Sequence, residues 1–195
     1  MGFPFRSEKL IRYLTGKFTL GGLLPNDGYL IGVPKIIHIN DVSVGNVGIG
    51  LDPLQSFTLP AKSWKNGDIL RVHYAGTFGA NSDSKRIQVE IGGQVVHNTG
   101  LFATNGVTFA YYLDYLRQSA DAIRATGQGC WGTIARDVSG TMAQSGLIFA
   151  IFNSPIAPAD MDANDTIFRL QGESSTATND NVLHRKTVLE LIRNS

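Results

Sequence analysis

Between Ile69 and Phe78 the chain alternates with hardly a break. Leu70, Val72, Tyr74 and Phe78 share one face; Arg71, His73 and Thr77 share the other. A period of two over that length predicts a half-buried β-strand, because successive side chains point to opposite faces of a sheet. The next segment repeats the pattern, with Ile87, Val89 and Ile91 against Arg86, Gln88 and Glu90. Asn66-Gly67 before the first strand and Gly92-Gly93 after the second supply the positive φ of tight turns.

Further strands are expected at 55–59, ended by Pro60, and at 94–98, 107–116, 123–126, 131–136, 146–153, 166–171 and 181–192. That makes about nine or ten strands with Gly, Asn and Asp at the corners and no helical period between them, the signature of a sandwich or barrel. Two segments depart from alternation. Ile148-Phe149-Ala150-Ile151-Phe152 is apolar on both faces, and Phe109-Ala110-Tyr111-Tyr112-Leu113 is nearly so. A strand buried on both sides needs cover on both sides.

Residues 1–50 have a different texture. Phe3, Phe5, Phe18, Leu20, Leu23 and Leu24 are separated by Gly16, Gly21, Gly22 and Pro25, a density of breakers that blocks long regular elements. A short helix over 7–14 with Ser7 as its N-cap is expected, and otherwise an extended arm. Either part of this arm pairs with the domain's own sheet, or it lies across a neighbouring subunit. Residues 51–195 make the sandwich domain.

Composition narrows the function. Hydrophobic residues are 43% of the 195, an ordinary globular share, whereas charged residues are only 17%. A surface with so few charges suits coverage by other subunits, and a free surface rich in Ser, Thr and Asn fits it as well. The net charge of +1 gives no electrostatic footprint for nucleic acid. No apolar run is long enough to cross a bilayer, and Met1 to Arg6 does not open a signal peptide, so no membrane partner is expected. Cys130 is the single cysteine, which excludes an intrachain disulfide and fits folding in a reducing host cytoplasm.

Candidate chemistry is sparse. His38, His73, His97 and His184 show no metal spacing and read as strand residues on polar faces. Asp160-Met161-Asp162-Ala163-Asn164-Asp165 begins like a calcium loop, but Asp165 stands where such a loop needs glycine and Gln171 where it needs glutamate. No nucleophile elbow or phosphate loop occurs. Asp83, Glu90, Asp114, Asp121 and Asp137 are scattered carboxylates with solvated surfaces as their default. Trp64, Trp131, Tyr74, Tyr111, Tyr112 and Tyr115 can stack on sugar rings where exposed, and otherwise fill the core. No catalytic residue, cofactor or metal ligand is assigned.

One family resemblance runs through these residues. Phe57-Thr58-Leu59-Pro60-Ala61, Asn66-Gly67-Asp68-Ile69-Leu70-Arg71, Ala75-Gly76-Thr77-Phe78, Asn81 and Lys85-Arg86-Ile87 together resemble a repeated module of tailed-bacteriophage structural proteins. Weaker echoes lie at 92–100 and 177–189. The chain departs from the pattern at Ile123-Arg124-Ala125-Thr126-Gly127, where the arginine stands one place early, and residues 1–50 match none of it. The resemblance implies an all-β, jelly-roll-like antiparallel β-sandwich on a virion, without enzymatic activity. The role expected first is that of a capsid decoration (cement) protein: the arm and the two-sided apolar strands are expected to hold copies together as a homotrimer and to bind the major capsid protein or other virion proteins. The alternative is a tail-fibre or baseplate module that binds host-surface glycan. Phe3, Phe5, Phe18, Leu20, Leu23, Leu24, Tyr111, Tyr112, Phe149 and Phe152 are the expected subunit or capsid contacts.

Overall fold

The computed structural model describes residues 32–136 and 142–194, with side chains for 32–132 and 156–194. The contact residues expected between Phe3 and Leu24, and the helix over 7–14, lie outside the described residues. The side chains of Phe149 and Phe152 lie outside them too.

Among the described residues every element is a strand: β1 (Pro34–Asn40), β2 (Val44–Gly45), β3 (Asp52–Leu59), β4 (Ile69–Phe78), β5 (Ser84–Ile91), β6 (Gln94–Asn98), β7 (Phe102–Ala103), β8 (Thr108–Ser119), β9 (Ala122–Arg136), β10 (Met142–Ile156), β11 (Thr166–Ser174) and β12 (Val182–Ile192). A seven-stranded sheet runs β1-β12-β4-β8-β9-β10, with β2 beside β12. A five-stranded sheet runs β3-β11-β5-β6, with β7 beside β5. The strands pair antiparallel throughout, and the two sheets form a β-sandwich, one of the two forms that the strand pattern predicts and the one that the resemblance implies.

Part of the segment assigned to the arm pairs with the domain's own sheet, since β1 lies against β12 from Pro34↔Ile192 to Asn40↔Thr187. The two strands expected at 123–126 and 131–136 are one continuous β9, paired with β8 on one side and β10 on the other. Its glycines do not break it. At Gly127 a Cβ would collide with the Tyr112 carbonyl, so here glycine allows close backbone approach instead of a turn. The turn glycines behave as expected, with Gly92 and Gly93 at φ +54° and +79° between β5 and β6.

Inward side chains of both sheets meet in one core. Leu70, Val72, Tyr74 and Phe78 of β4, with Phe109, Tyr111, Leu113 and Tyr115 of β8, face Ile87, Val89 and Ile91 of β5 and Phe168 and Leu170 of β11. Burying each large apolar side chain contributes about 1.5–3 kcal/mol. The two-sided burial expected for Phe109 to Leu113 does not occur. β8 alternates strictly, with Tyr111 inside and Tyr112 outside.

Two buried ions tie the loops to this core. Asp68, fully buried at the start of β4, pairs with Arg193 after β12 and accepts from the backbone of Lys65 (2.9 Å) and Asn194 (3.0 Å). Its own carbonyl accepts the Trp64 indole N–H at 3.1 Å. Removing one member of such a pair strands the other in the interior, at a typical cost of ~3–5 kcal/mol. At the other end of β4, the buried Lys85 ammonium reaches the Asn81 carbonyl (3.0 Å) and side chain (2.7 Å) and the carbonyls of Asp83 (2.9 Å) and Thr104 (2.7 Å). Burial pulls its pKa down, and the nearby Asp83 opposes that.

His184 corrects the expectation of histidines on polar faces. It points inward, fully buried, with Nδ1 3.1 Å from the Val42 carbonyl and Nε2 2.7 Å from the Thr187 hydroxyl. The carbonyl requires Nδ1–H as donor, so Nε2 accepts from Thr187. Burial holds its pKa below the usual 6.5, and burial does the same for His97 against Tyr111. As pH falls below 6.5 the unfolded chain takes up protons that the folded chain refuses. The stability these neutral histidines contribute is therefore complete above 6.5 and declines toward their lower folded values. The urea midpoint is expected to fall between pH 7.5 and pH 5.5, and to fall less in His184→Gln. A midpoint equal at both pH values would refute this account of the buried imidazoles.

Candidate functional site

The outer faces of the two sheets differ in kind. On the five-stranded sheet, polar groups satisfy each other. Arg169 pairs with Glu90 at 3.0 Å and Arg86 with Glu173. Gln88 donates to Gln171 (3.1 Å) and accepts from Asn98 (2.8 Å). On the seven-stranded sheet, strand register lays out rows that cross four or five strands. One row holds Ile36, Glu190, Arg71, Asp114 and Thr126. The next holds Ile39, Val188, His73, Tyr112 and Gln128, and a third Lys186, Ala75, Ala110 and Cys130.

The first row is closed on itself. The Arg71 guanidinium grips Asp114 with two bonds, Nε to Oδ1 at 2.8 Å and Nη2 to Oδ2 at 3.0 Å. The hydrogen bond to Asp114 raises the Arg71 pKa first, and the charges of Asp114 and Glu190 add to it. Both groups are about a third exposed, so the pair contributes little stability. Its effect is to fix two side chains in place beside the second row.

The second row carries the surface aromatic. Tyr112 is 46% exposed, and the His73 ring meets it edge-on with centroids 4.9 Å apart. Beside it the small side chains of Ala75 and Ala110 leave room. A depression of about 180 Å³ opens there, lined by His73, Tyr74, Ala75, Tyr112, Lys186 and Val188. This is below the ~300–1,000 Å³ of sites for drug-sized ligands, so it admits a single ring or a short substituent. Lys186 makes no ion pair among the described residues. The arrangement offers a flat π-face, an imidazole and an ammonium on one rigid sheet, which can bind and orient a small polar ring.

The other candidates fall elsewhere. Trp64, Tyr74, Tyr111 and Tyr115 are core residues, and burial raises the pKa of the three tyrosines. Trp131 is half-buried, stacked on Phe102 at 4.6 Å. Of the expected contacts Tyr111 and Tyr112, only Tyr112 presents its ring at the surface. The carboxylates stand apart, each with its own partner: Asp83 with Thr176 and Asn181, Glu90 with Arg169, Asp114 with Arg71, Asp121 with Ser119. Asp137 lies outside the described residues. In the 160–165 loop the acids also turn to separate tasks. Asp160 caps the amide of Asp162, Asp162 pairs with Arg117 at 2.9 Å, and Asp165 accepts from the Ala61 amide at 3.0 Å.

No family model matches the chain, and no curated protein does. Among solved structures, the CBM2 module of the evolved Dit of Lactobacillus casei BL23 phage J-1 is similar at 10% identity and a TM-score of 0.27, over 69% of this chain and 67% of that one. At that level the likeness bears on neither ligand nor role.

Adjacent tyrosines on opposite faces give a direct check of the site's geometry. Tyr111→Ala is expected to cost about 3–5 kcal/mol by opening a cavity in the core. Tyr112→Ala should cost under about 1 kcal/mol, as a surface change. Chemical denaturation of the two variants measures both, and equal losses would show that Tyr112 is not a surface residue.

Proposed function

We propose that the chain is a non-enzymatic structural module of a tailed-phage virion that binds host-surface glycan through the outer face of the seven-stranded sheet. The observation that carries this reading is the exposed Tyr112 ring, braced edge-on by His73 above a small depression. Sugar rings have apolar faces and polar rims. A fixed aromatic face with polar neighbours matches both, because hydrophobic contact and hydrogen bonds act on the same ring. Placement of the site on strands, away from loops, keeps its groups preorganised and limits the entropy lost on binding.

The virion part of the reading draws on the phage-like residue series, whose members occupy consecutive elements. Phe57 to Ala61 ends β3, Asn66 to Arg71 makes the turn into β4, Ala75 to Phe78 closes β4, and Lys85 to Ile87 opens β5. A shallow single-ring site binds weakly by itself. A particle carrying many linked copies gains about 10²–10⁴ in avidity without any new contact.

The test is binding of the purified chain to host cell-wall polysaccharide, with Tyr112→Ala as control. Wild type is expected to bind and to leave the polymer length unchanged, and Tyr112→Ala to lose at least about tenfold while retaining its fold. Undiminished binding by Tyr112→Ala, or release of shortened sugars, overturns the reading.

A second reading, capsid decoration by a homotrimer seated on the major capsid protein, is favoured by a separate feature. Val33, Ile36, Ile39, Val42, Val47 and Ile49 are all exposed on edge strand β1 and on the segments just before and after it, Val47 at 69%. Edge strands with bare apolar side chains invite a partner chain. Light scattering at micromolar concentration is expected to show a trimer that Ile36→Glu dissociates. A monomer before and after the substitution excludes this second reading.

A further inference from the structure

We infer that the depression beside Tyr112 takes an anionic sugar, with the ring on Tyr112 and its acidic substituent at Lys186. This inference rests on the glycan-binding reading and names the chemical class of the glycan.

The charges around the site carry it. The six residues lining the depression include one cation, Lys186, and no acid. Within the paired rows, the carboxylates beside the depression are Asp114 and Glu190, one row away on either side of Arg71, and Asp41 follows directly on Asn40, the partner of Thr187. Asp114 is held by two hydrogen bonds to that guanidinium, and Glu190 adds to the field that raises its pKa. Arg71 is thus engaged with Asp114, and Lys186 is the one charged side chain that lines the depression, in no ion pair among the described residues.

The ammonium is placed there by the strand itself. β12 carries a bulge between His184 and Lys186, so that Gly76 pairs with His184 and the next residue, Ala75, with Lys186. Arg185 and Lys186 are both exposed across the bulge. Arg185 turns to the Ser43 hydroxyl at 3.1 Å, while Lys186 lines the depression. The small Ala75 beneath it provides space for a substituent. A lysine is a point charge that suits either a carboxylate or a phosphate group. The shared chemistry is a single negative charge on or next to a pyranose ring.

Calorimetric titration of the full chain at low salt separates the sources. The probes are a hexuronic acid oligomer, the same oligomer with its carboxyl groups reduced to alcohols, and a glycosylated glycerol-phosphate oligomer. At least one acidic probe is expected to bind about tenfold more tightly than the neutral one, and which acidic probe binds tells carboxylate from phosphate. Added salt should erode the advantage, because the site is exposed. Lys186→Gln should abolish that advantage, and circular dichroism should report an unaltered fold. Tyr112→Ala should weaken all binding. Equal binding of acidic and neutral probes, all sensitive to Tyr112→Ala, overturns the anionic assignment and leaves the glycan reading standing. Binding to none of the probes, or binding indifferent to Tyr112→Ala, overturns both.

Discussion

The register of β4 between its two neighbours is the constraint on which the molecule depends. From Ile69 to Thr77 it pairs with β8 residue for residue, without a slip. A shift of one position would turn every side chain to the opposite face. Leu70, Val72 and Tyr74 would then face water, and Arg71 and His73 would enter the core. The penalty for that exchange far exceeds the value of any single surface contact, and so the positions of His73 and Tyr112 follow from hydrophobic burial on the other side of the same strands. The outer surface inherits its order from the interior.

Buried charge holds both ends of that strand. Asp68 joins the entry of β4 to Arg193 at the exit of β12, two residues separated by 125 positions. Beside it, Arg117 fastens the end of β8 to the carbonyls of Trp64 and Ser119 and to Asp162. Lys85 gathers carbonyls from the loops at the far end. Each ion has a partner of opposite charge or several acceptors, the condition under which a charge is tolerated in an interior. These contacts link loops that apolar burial alone would leave free to choose among several arrangements.

What could be seen in the chain beforehand follows the same physics. The limits of β4 and β6 and the Gly92-Gly93 turn are legible because alternation and positive-φ chemistry are local. β8 is not fully legible. Tyr111 and Tyr112 are alike in type, so composition conceals which of them faces water, and only the partner strands decide. β9 reads as two pieces because Gly127, Gly129 and Gly132 normally punctuate, whereas here tight pairing with β8 admits glycine. The inward turn of His184 depends on a bulge that no residue announces. The site suffers the same fate. Its residues come from β4, β8 and β12, far apart in sequence, and their meeting is set by pairing alone. Lys85 and Asp68 belong to the phage-like series, but their role as buried ions appears only once the distant loops are in place.

The irregularity at Arg185 has a consequence for how such a chain can vary. Before it, even-numbered residues of the last strand point inward, as at Val182 and His184; after it, odd-numbered ones do, as at Thr187, Leu189 and Leu191. The extra residue acts as a parity switch, letting one strand obey two different phases. Related chains that delete it would have to compensate with a second indel nearby, or exchange the chemical character of the whole segment downstream. Length changes in this strand should therefore be inherited in pairs, a footprint that would survive long after the amino acids themselves had diverged.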